Sequence, residues 1–194
     1  MNTEFEAKFI HINKTNFRAQ LKKIGAKLIK PEFFQRRVAF NLPKKSVKTG
    51  YIRVRDEREK ITMSLKFVKG KKISDQKEIM LEVNSFKGAI EFLNSIGCNQ
   101  KAFQETKREL WRIADVDITI DEWPFLEPFV EIEGNSENKV KSVCKKLGLD
   151  YSKAIFGAVD TLYHLKYGVA KNIINNHTPV IEFKTKNPFI TKRV

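Results

Sequence analysis

The segment Glu4-Phe5-Glu6-Ala7-Lys8 alternates charged and apolar residues. A period of two puts Glu4, Glu6 and Lys8 on one face of a strand and Phe5, Ala7 and Phe9 on the other. Two carboxylates about 7 Å apart, followed by an ammonium, make an unusual strand face. On a solvated sheet it carries little information. In the wall of a closed sheet it suits a bound cation beside a bound anion, the chemistry of a metal and a phosphate chain. Acidic pairs recur at Glu78 and Glu82 and at Glu131 and Glu133. Arg53 aligns with Arg55 opposite apolar Ile52 and Val54, Lys66 with Ser64, Asp121 with Thr119, and Arg108 with Thr106. In strand after strand one face is apolar and the other carries charge.

The elements that must position these residues are legible from the same periodicity. Strands are expected near 2–10, 33–41, 50–57, 61–68, 76–84, 102–112, 115–122 and 127–134, with helices near 14–25, 85–96, 136–147, 151–156 and 159–167. Thr15, Ser85 and Ser136 stand near helix starts as expected N-caps, and Gly25, Gly97 and Gly148 follow as left-handed C-caps. These strand-helix units form a degenerate internal repeat. Helices must cover the apolar faces, so the charged faces meet each other or water. An open antiparallel sheet with helices on one face satisfies the pattern. So does an eight-stranded barrel, whose narrow interior holds side chains and one small ligand. The recurring acidic pairs, the repeat and the Arg doublet favour closure.

Composition bounds the function. A chain of 194 residues with 41% hydrophobic and 31% charged residues fits one soluble domain with a substantial core. No apolar run is long enough to span a membrane, and the acidic start does not suit a signal peptide, so a cytoplasmic location is expected. Cys98 and Cys144 form no disulfide framework, and His11, His164 and His177 are scattered. Any metal is therefore a hard cation held by oxygen. The net charge of +14 steers anions toward the protein. Much of it sits in turns (Lys44, Lys45, Lys48; Lys69, Lys71, Lys72) and on one helix (Lys139, Lys141, Lys145, Lys146), without the aromatic interleaving of a nucleic-acid site.

Taken in order, these residues resemble the CYTH superfamily, the triphosphate tunnel metalloenzymes. Its ExExK signature is matched by Glu4, Glu6 and Lys8, its paired-Arg strand by Tyr51-Ile52-Arg53-Val54-Arg55, and its Lys strand by Ser64-Leu65-Lys66. Its later Arg strand is similar to Thr106–Trp111, and its Asp followed by an ExE strand is similar to Ile120-Asp121-Glu122 and Phe129–Gly134. The resemblance runs over about residues 1–167. It implies an α+β fold, an eight-stranded antiparallel β-barrel tunnel with a charged lumen and helices packed outside. It also implies that Lys8, Arg53, Arg55, Lys66 and Arg108 contact a triphosphate, that Glu4, Glu6, Asp121, Glu131 and Glu133 hold Mg²⁺ or Mn²⁺, and that Glu4, Glu6 and Glu133 are catalytic. Residues 168–194 form a basic extension beyond the family length, expected as an edge strand at Val180–Lys184 or as partly disordered chain.

Three departures from the family pattern remove acidic character and bear on a second metal site. Met80 stands between Glu78 and Glu82, Gln76 precedes them on the same face, and Arg37 occupies a position where several relatives place Asp. Glu78 and Glu82 also have a bland reading, as charges balancing nearby Lys. The expected function is a divalent-metal-dependent triphosphate phosphohydrolase acting on inorganic triphosphate, thiamine triphosphate or a nucleotide. The main competing function is a class IV-type adenylate cyclase making cyclic AMP and pyrophosphate. Tyr51 and Phe125 near the tunnel mouths are then candidates to stack on the base, though no polar run spells adenine readout. The same residues also fit a non-catalytic polyphosphate or nucleotide binder, and charge alone would fit an RNA binder. The expected partner is a triphosphate-containing small molecule, with neither membrane nor nucleic acid, and the chain is a monomer or homodimer.

Overall fold

The computed structural model describes residues 2–43, 50–68 and 76–190; the side chains of residues 2–4, 68 and 76 are not described. The lysine turns at 44–48 and 69–72, the Glu4 and Gln76 side chains and residues 191–194 therefore lie outside the described part. In chain order the elements are β1 (Asn2–Phe9), α1 (Lys14–Lys23), β2 (Lys27–Asn41), β3 (Gly50–Asp56), β4 (Ile61–Val68), β5 (Gln76–Val83) and α2 (Phe86–Ser95). Next come β6 (Asn99–Ile113), β7 (Val116–Glu122), β8 (Phe129–Gly134) and α3 (Glu137–Lys146). A 3₁₀ turn (Tyr151–Lys153), α4 (Asp160–Tyr167), α5 (Lys171–Asn176) and the short β9 (Val180–Ile181) complete the chain.

Local chemistry sets the helix ends. Ser85 and Ser136 accept hydrogen bonds from the Gly88 and Lys139 amides, as expected of N-caps. At α1 the cap is Asn13, which accepts from the Asn16 amide, and Thr15 lies inside the first turn. Gly25, Gly97 and Gly148 follow the helices at φ of 78°, 85° and 69°, the left-handed region in which a Cβ is strained. β2 begins six residues before the expected 33–41 segment. Pro31 hides that start, because it has no N–H for a ladder, and the register shifts between Leu28/Lys30 and Lys30/Phe33 accommodate it.

The fold is α+β, with one large antiparallel sheet of eight ordered strands in the order β2-β3-β4-β5-β1-β8-β7-β6. β9 adds in parallel to β6 at Phe103 and Gln104. β2 also pairs with β6, from Lys27/Arg112 to Asn41/Asn99. This ladder laces the two ends of the order together and curls the sheet. The expected barrel is nevertheless not closed; among the described residues β1 divides its pairing between two neighbours. Asn2, Thr3 and Glu4 pair with β5, whereas Phe5–Phe9 pair with β8. Along Phe5–Phe9 the other edge meets, among the described residues, the backbone of Ile155, which exchanges hydrogen bonds of 3.0 and 2.9 Å with Lys8.

The outward face is apolar and the helices cover it. α1 and α3 close over Ala7, Phe9, Trp111, Ile118, Ile120, Val130 and Ile132 through Phe17, Leu21, Val140, Val143 and Leu147. α2 packs Leu93 with Val38, Phe40 and Val54. Each fully buried Leu, Ile or Phe of this kind contributes about 1.5–3 kcal/mol. Both thiols are buried. A third cluster joins Trp123, Phe129, Leu162 and Tyr163 to Val169, Ile174, Ile181 and Phe189. Residues 168–190 therefore share a core with the strand ends, and the expected edge strand at 180–184 is reduced to Val180 and Ile181. Among the described residues no helix is long and apolar enough to cross a membrane.

One outward acid is structural. Glu109, only 4% exposed, accepts hydrogen bonds from Arg18 Nε (3.0 Å) and Nη2 (2.7 Å) and from Trp111 Nε1 (2.6 Å), tying α1 to β6. Burial alone would raise its pKa, but the bonds from Arg18 and Trp111 outweigh it and hold the carboxyl below its usual range. A depressed folded pKa gives stability that is present above the ordinary Glu value of about 4.3 and lost as pH falls through the folded value. Glu109→Gln is expected to cost roughly 1.5–3 kcal/mol at neutral pH. Urea unfolding at pH 7 and pH 3 checks this: the gap between wild type and variant should shrink at the lower pH.

Candidate functional site

The inward face of the curled sheet encloses a cavity of about 480 Å³, lined by residues from all eight long strands. The period of two delivers the charges. On β3, Arg53 and Arg55 point into the cavity while Ile52 and Val54 join the core under α2. On β8, Glu131 and Glu133 point in while Val130 and Ile132 point out. On β1, Glu6 and Lys8 alternate with Ala7 and Phe9 in the same way.

Register decides which charges meet. Glu6 lies directly opposite Glu133, which lies opposite Asp117 on β7. Lys8 lies opposite Glu131, which lies opposite Thr119. Directly opposed residues hold their Cβ atoms about 4.5–5.5 Å apart, so an acidic row runs across β1, β8 and β7. Lys8 is 2% exposed. It is paired with Glu6, donates to the Gly157 carbonyl at 2.7 Å and lies 3.5 Å from Glu131. Burial lowers its pKa against the pull of Glu131. Arg108 grips Asp121 bidentately at 2.6 and 2.9 Å and donates from Nη2 to Glu131 at 2.6 Å. Burial opposes that charge, yet Asp121 and Glu131 raise the Arg108 pKa above its ordinary value. Burial would also raise Glu131, but Lys8 and Arg108 outweigh it and carry its pKa down to about 2. Glu133 differs from its neighbours: it has no hydrogen bond or ion pair among the described residues, and burial pushes its pKa up.

The opposite wall is cationic. Arg53 Nη2 lies 3.2 Å and Lys66 Nζ 3.5 Å from Glu78. Arg55 Nε lies 2.8 Å from Glu57, and burial and then Arg53 push the Arg55 pKa down to about 10. The Nε atoms of Arg37 and Arg53 and the Ser64 hydroxyl are buried without a hydrogen-bond partner among the described residues. Every described residue expected at the site thus faces one cavity or its wall. Lys8, Arg53, Arg55, Lys66, Arg108, Glu6, Glu131 and Glu133 line it, and Asp121 is fully buried behind Arg108. The Glu4 side chain lies outside the described residues.

Several expectations change. Glu78 is a wall residue between Arg53 and Lys66, whereas Glu82 pairs with Lys60 at an exposed position, the bland reading. Phe125 is not a mouth residue free to stack, because it packs edge-on against Phe189 at 6.3 Å. Tyr51 does line the cavity, with Lys101 5.7 Å above its ring. Arg37 does more than remove an acid: it adds a buried cation, 4% exposed, over the Trp123 ring at 4.6 Å. Gln35 and Asp117 are not singled out by the sequence, although each shares its strand face with a named residue, whereas Glu57 is a charge the hairpin sequence offers as a partner for Arg55 and does pair with it. Among the described residues no three His, Cys, Asp or Glu side chains converge as a metal ion requires.

The comparisons bear on the fold and the family. The CYTH domain matches residues 2–160. A solved structure of a conserved hypothetical protein from Pyrococcus furiosus is 22% identical, covers 78% of this chain and 94% of its own, and superposes with a TM-score of 0.66. A protein from Vibrio parahaemolyticus provisionally named an adenylate cyclase is 12% identical, with 83% and 97% of the two chains covered and a TM-score of 0.70. A protein from Hippeastrum, provisionally named an adenylyl cyclase and described as having a dominant triphosphatase activity, is 13% identical, with 88% and 97% covered and a TM-score of 0.55. Among curated proteins none matches. At such identities the structural likeness establishes the fold, and the domain match over most of the chain establishes the family. This chain belongs to the CYTH domain family.

Proposed function

We propose that this protein is a divalent-metal-dependent triphosphate phosphohydrolase whose curled sheet works as a tunnel. The observation that carries the reading is the division of charge in one cavity. Buried guanidiniums face an acidic row in which Glu133, among the described residues, has no ion-pair partner. A triphosphate answers both needs, because Arg53, Arg55, Lys66, Lys8 and Arg108 neutralise it from several walls, with planar guanidinium forks matching phosphate oxygens.

The donor set fits a hard cation such as Mg²⁺ or Mn²⁺, since every candidate ligand is a carboxylate. Glu6 and Glu133, opposed in the β1–β8 ladder, would hold it, with Glu4, Glu131 and Asp121 as further donors. Bound there, it would offset charge on the phosphate chain and polarise a P–O bond. The remaining chemistry belongs to the chain. Glu133 accepts a proton from a water whose oxygen attacks the terminal phosphorus, with Glu4 and Glu6 orienting that water. As the new O–P bond forms, the bridging P–O bond breaks and its electrons pass to the bridging oxygen of the leaving diphosphate, while the attacked phosphorus departs as orthophosphate. The cationic side chains carry the charge that develops there.

Hydrolysis is favoured over cyclisation because cyclisation must also fix a nucleoside. Of the two aromatics considered for stacking, Phe125 is packed against Phe189. The deciding experiment incubates the protein with Mg²⁺ or Mn²⁺ and inorganic triphosphate, thiamine triphosphate or ATP, reading phosphate, pyrophosphate and cyclic AMP separately. Metal-dependent phosphate release, with inorganic triphosphate consumed at least as fast as ATP, is expected. Cyclic AMP as the main product with triphosphate left intact would assign a cyclase, and tight binding without turnover a non-catalytic binder.

A further inference from the structure

Arg37 is the residue in the cavity whose charge is least accounted for. It is 4% exposed, and its hydrogen bonds go to neutral atoms, from Nη2 to Gln35 Oε1 at 2.9 Å and to Thr106 Oγ1 at 2.6 Å. Its Nε has no partner. Directly opposite on β3 stands Arg55, and Arg53 is one inward position further along that strand, opposite Ala39. Like charges directly opposed across a ladder destabilise it, and a buried charge without a counter-ion costs far more than one that is paired. The Trp123 face beneath the guanidinium offsets only part of that cost, because a cation–π contact is weaker than a buried ion pair. Arg53 Nε and the Ser64 hydroxyl are also buried and unpartnered, and Ser64 lies opposite Arg53 across the β3–β4 ladder. Arg37 and Arg53 thus bring two unsatisfied donors to one cavity, with the Ser64 hydroxyl on the adjacent strand. Asp121 and Glu131, the acids whose charge reaches Arg37, are already held by Arg108.

We propose that Arg37, with Arg53 Nε and the Ser64 hydroxyl, forms a phosphoryl-binding subsite that takes one phosphate of the substrate chain without a metal ion. The inference rests on the triphosphate reading and refines it. The protein binds its polyanion on the β2–β4 wall in the absence of metal, and the acidic wall serves the reaction rather than the binding. Arg37 adds a cation to the cavity, so the substrate class it suits is a compact, highly charged phosphate chain such as inorganic triphosphate, more than a singly charged ester.

The test is calorimetric titration of the full chain with inorganic triphosphate and with inorganic phosphate, each in EDTA and in Mg²⁺. Wild type is expected to bind triphosphate in EDTA more tightly than phosphate. Arg37→Gln should weaken the EDTA affinity by about tenfold to a hundredfold, the loss of one or two charge-assisted hydrogen bonds. Thr106→Asp keeps Arg37 and gives it an internal counter-ion, so it should weaken the same binding by a similar factor. This second variant keeps the proposal testable if Arg37→Gln does not fold, which circular dichroism reports. Affinity in EDTA unchanged in the folded variants, or triphosphate bound by wild type only when Mg²⁺ is present, overturns the subsite and leaves the triphosphate reading standing. Wild type that binds triphosphate in neither buffer overturns that reading itself.

Discussion

Replacing Glu133 with glutamine is expected to lower metal-dependent turnover by roughly 10²–10⁴-fold, the range for removing a positioned general base. Metal-free triphosphate binding should survive or improve, because a negative charge leaves a cavity that must accept a polyanion. The expectation follows from an asymmetry among neighbours. Glu6 and Glu131 are already bound to Lys8, and Asp121 and Glu131 to Arg108. A carboxylate held by a guanidinium is a poor proton acceptor. Among the described residues Glu133 has no ion-pair partner, and burial raises its pKa, the direction that improves a base working near neutral pH. The same shift makes a stability statement. A folded pKa above the unfolded one gives stability that is present at low pH and lost as pH rises through the folded value. In EDTA at pH 7, Glu133→Gln should therefore unfold at the same or higher denaturant concentration than wild type, and below pH 4 the two should converge. Steady-state assays and paired denaturation curves check both halves. Full activity in the variant would remove Glu133 from the catalytic role.

Replacing Arg108 with alanine is expected to cost about 3–5 kcal/mol of folding stability, the penalty for breaking a buried ion-pair network from one side. Arg108 holds Asp121, which has no solvent exposure, and Glu131, whose carboxyl is 13% exposed. Removing the guanidinium leaves the buried Asp121 with the Thr119 hydroxyl and no cation, and Glu131 with Lys8 at 3.5 Å. Arg108→Ala should also weaken triphosphate binding, because a cation facing the cavity is lost and the freed acids repel the ligand. Adding Asp121→Asn to Arg108→Ala should restore part of the stability without restoring binding. Urea unfolding of the single and double variants, with triphosphate titration of those that fold, separates the two effects. An Arg108→Ala protein as stable as wild type would mean that the network is not structural.

Sequence alone carried the strand faces, and the physical reason is the period of two. Once Ile52 and Val54 are taken as core, Arg53 and Arg55 must share the other face, and the same holds for Glu131 and Glu133 around Ile132. Helix ends were legible where a Ser capped the start and a Gly the stop. They were misread by two residues at α1, where Asn13 and Thr15 both have cap chemistry. The beginning of β2 was hidden by Pro31, since local propensity does not reveal that a register shift will absorb a missing N–H. Family membership was also carried by the sequence, in the order of its charged strands.

Pairing across distant strands was beyond it. That Lys8 faces Glu131, that Arg108 reaches Glu131 as well as Asp121, and that this leaves Glu133 without an ion-pair partner among the described residues all depend on registers between strands that are not joined by a tight turn. Arg37 shows the difference best. In sequence it stands for a lost acid, but in the fold the β2–β3 register sets it opposite Arg55, and packing puts the Trp123 ring beneath it.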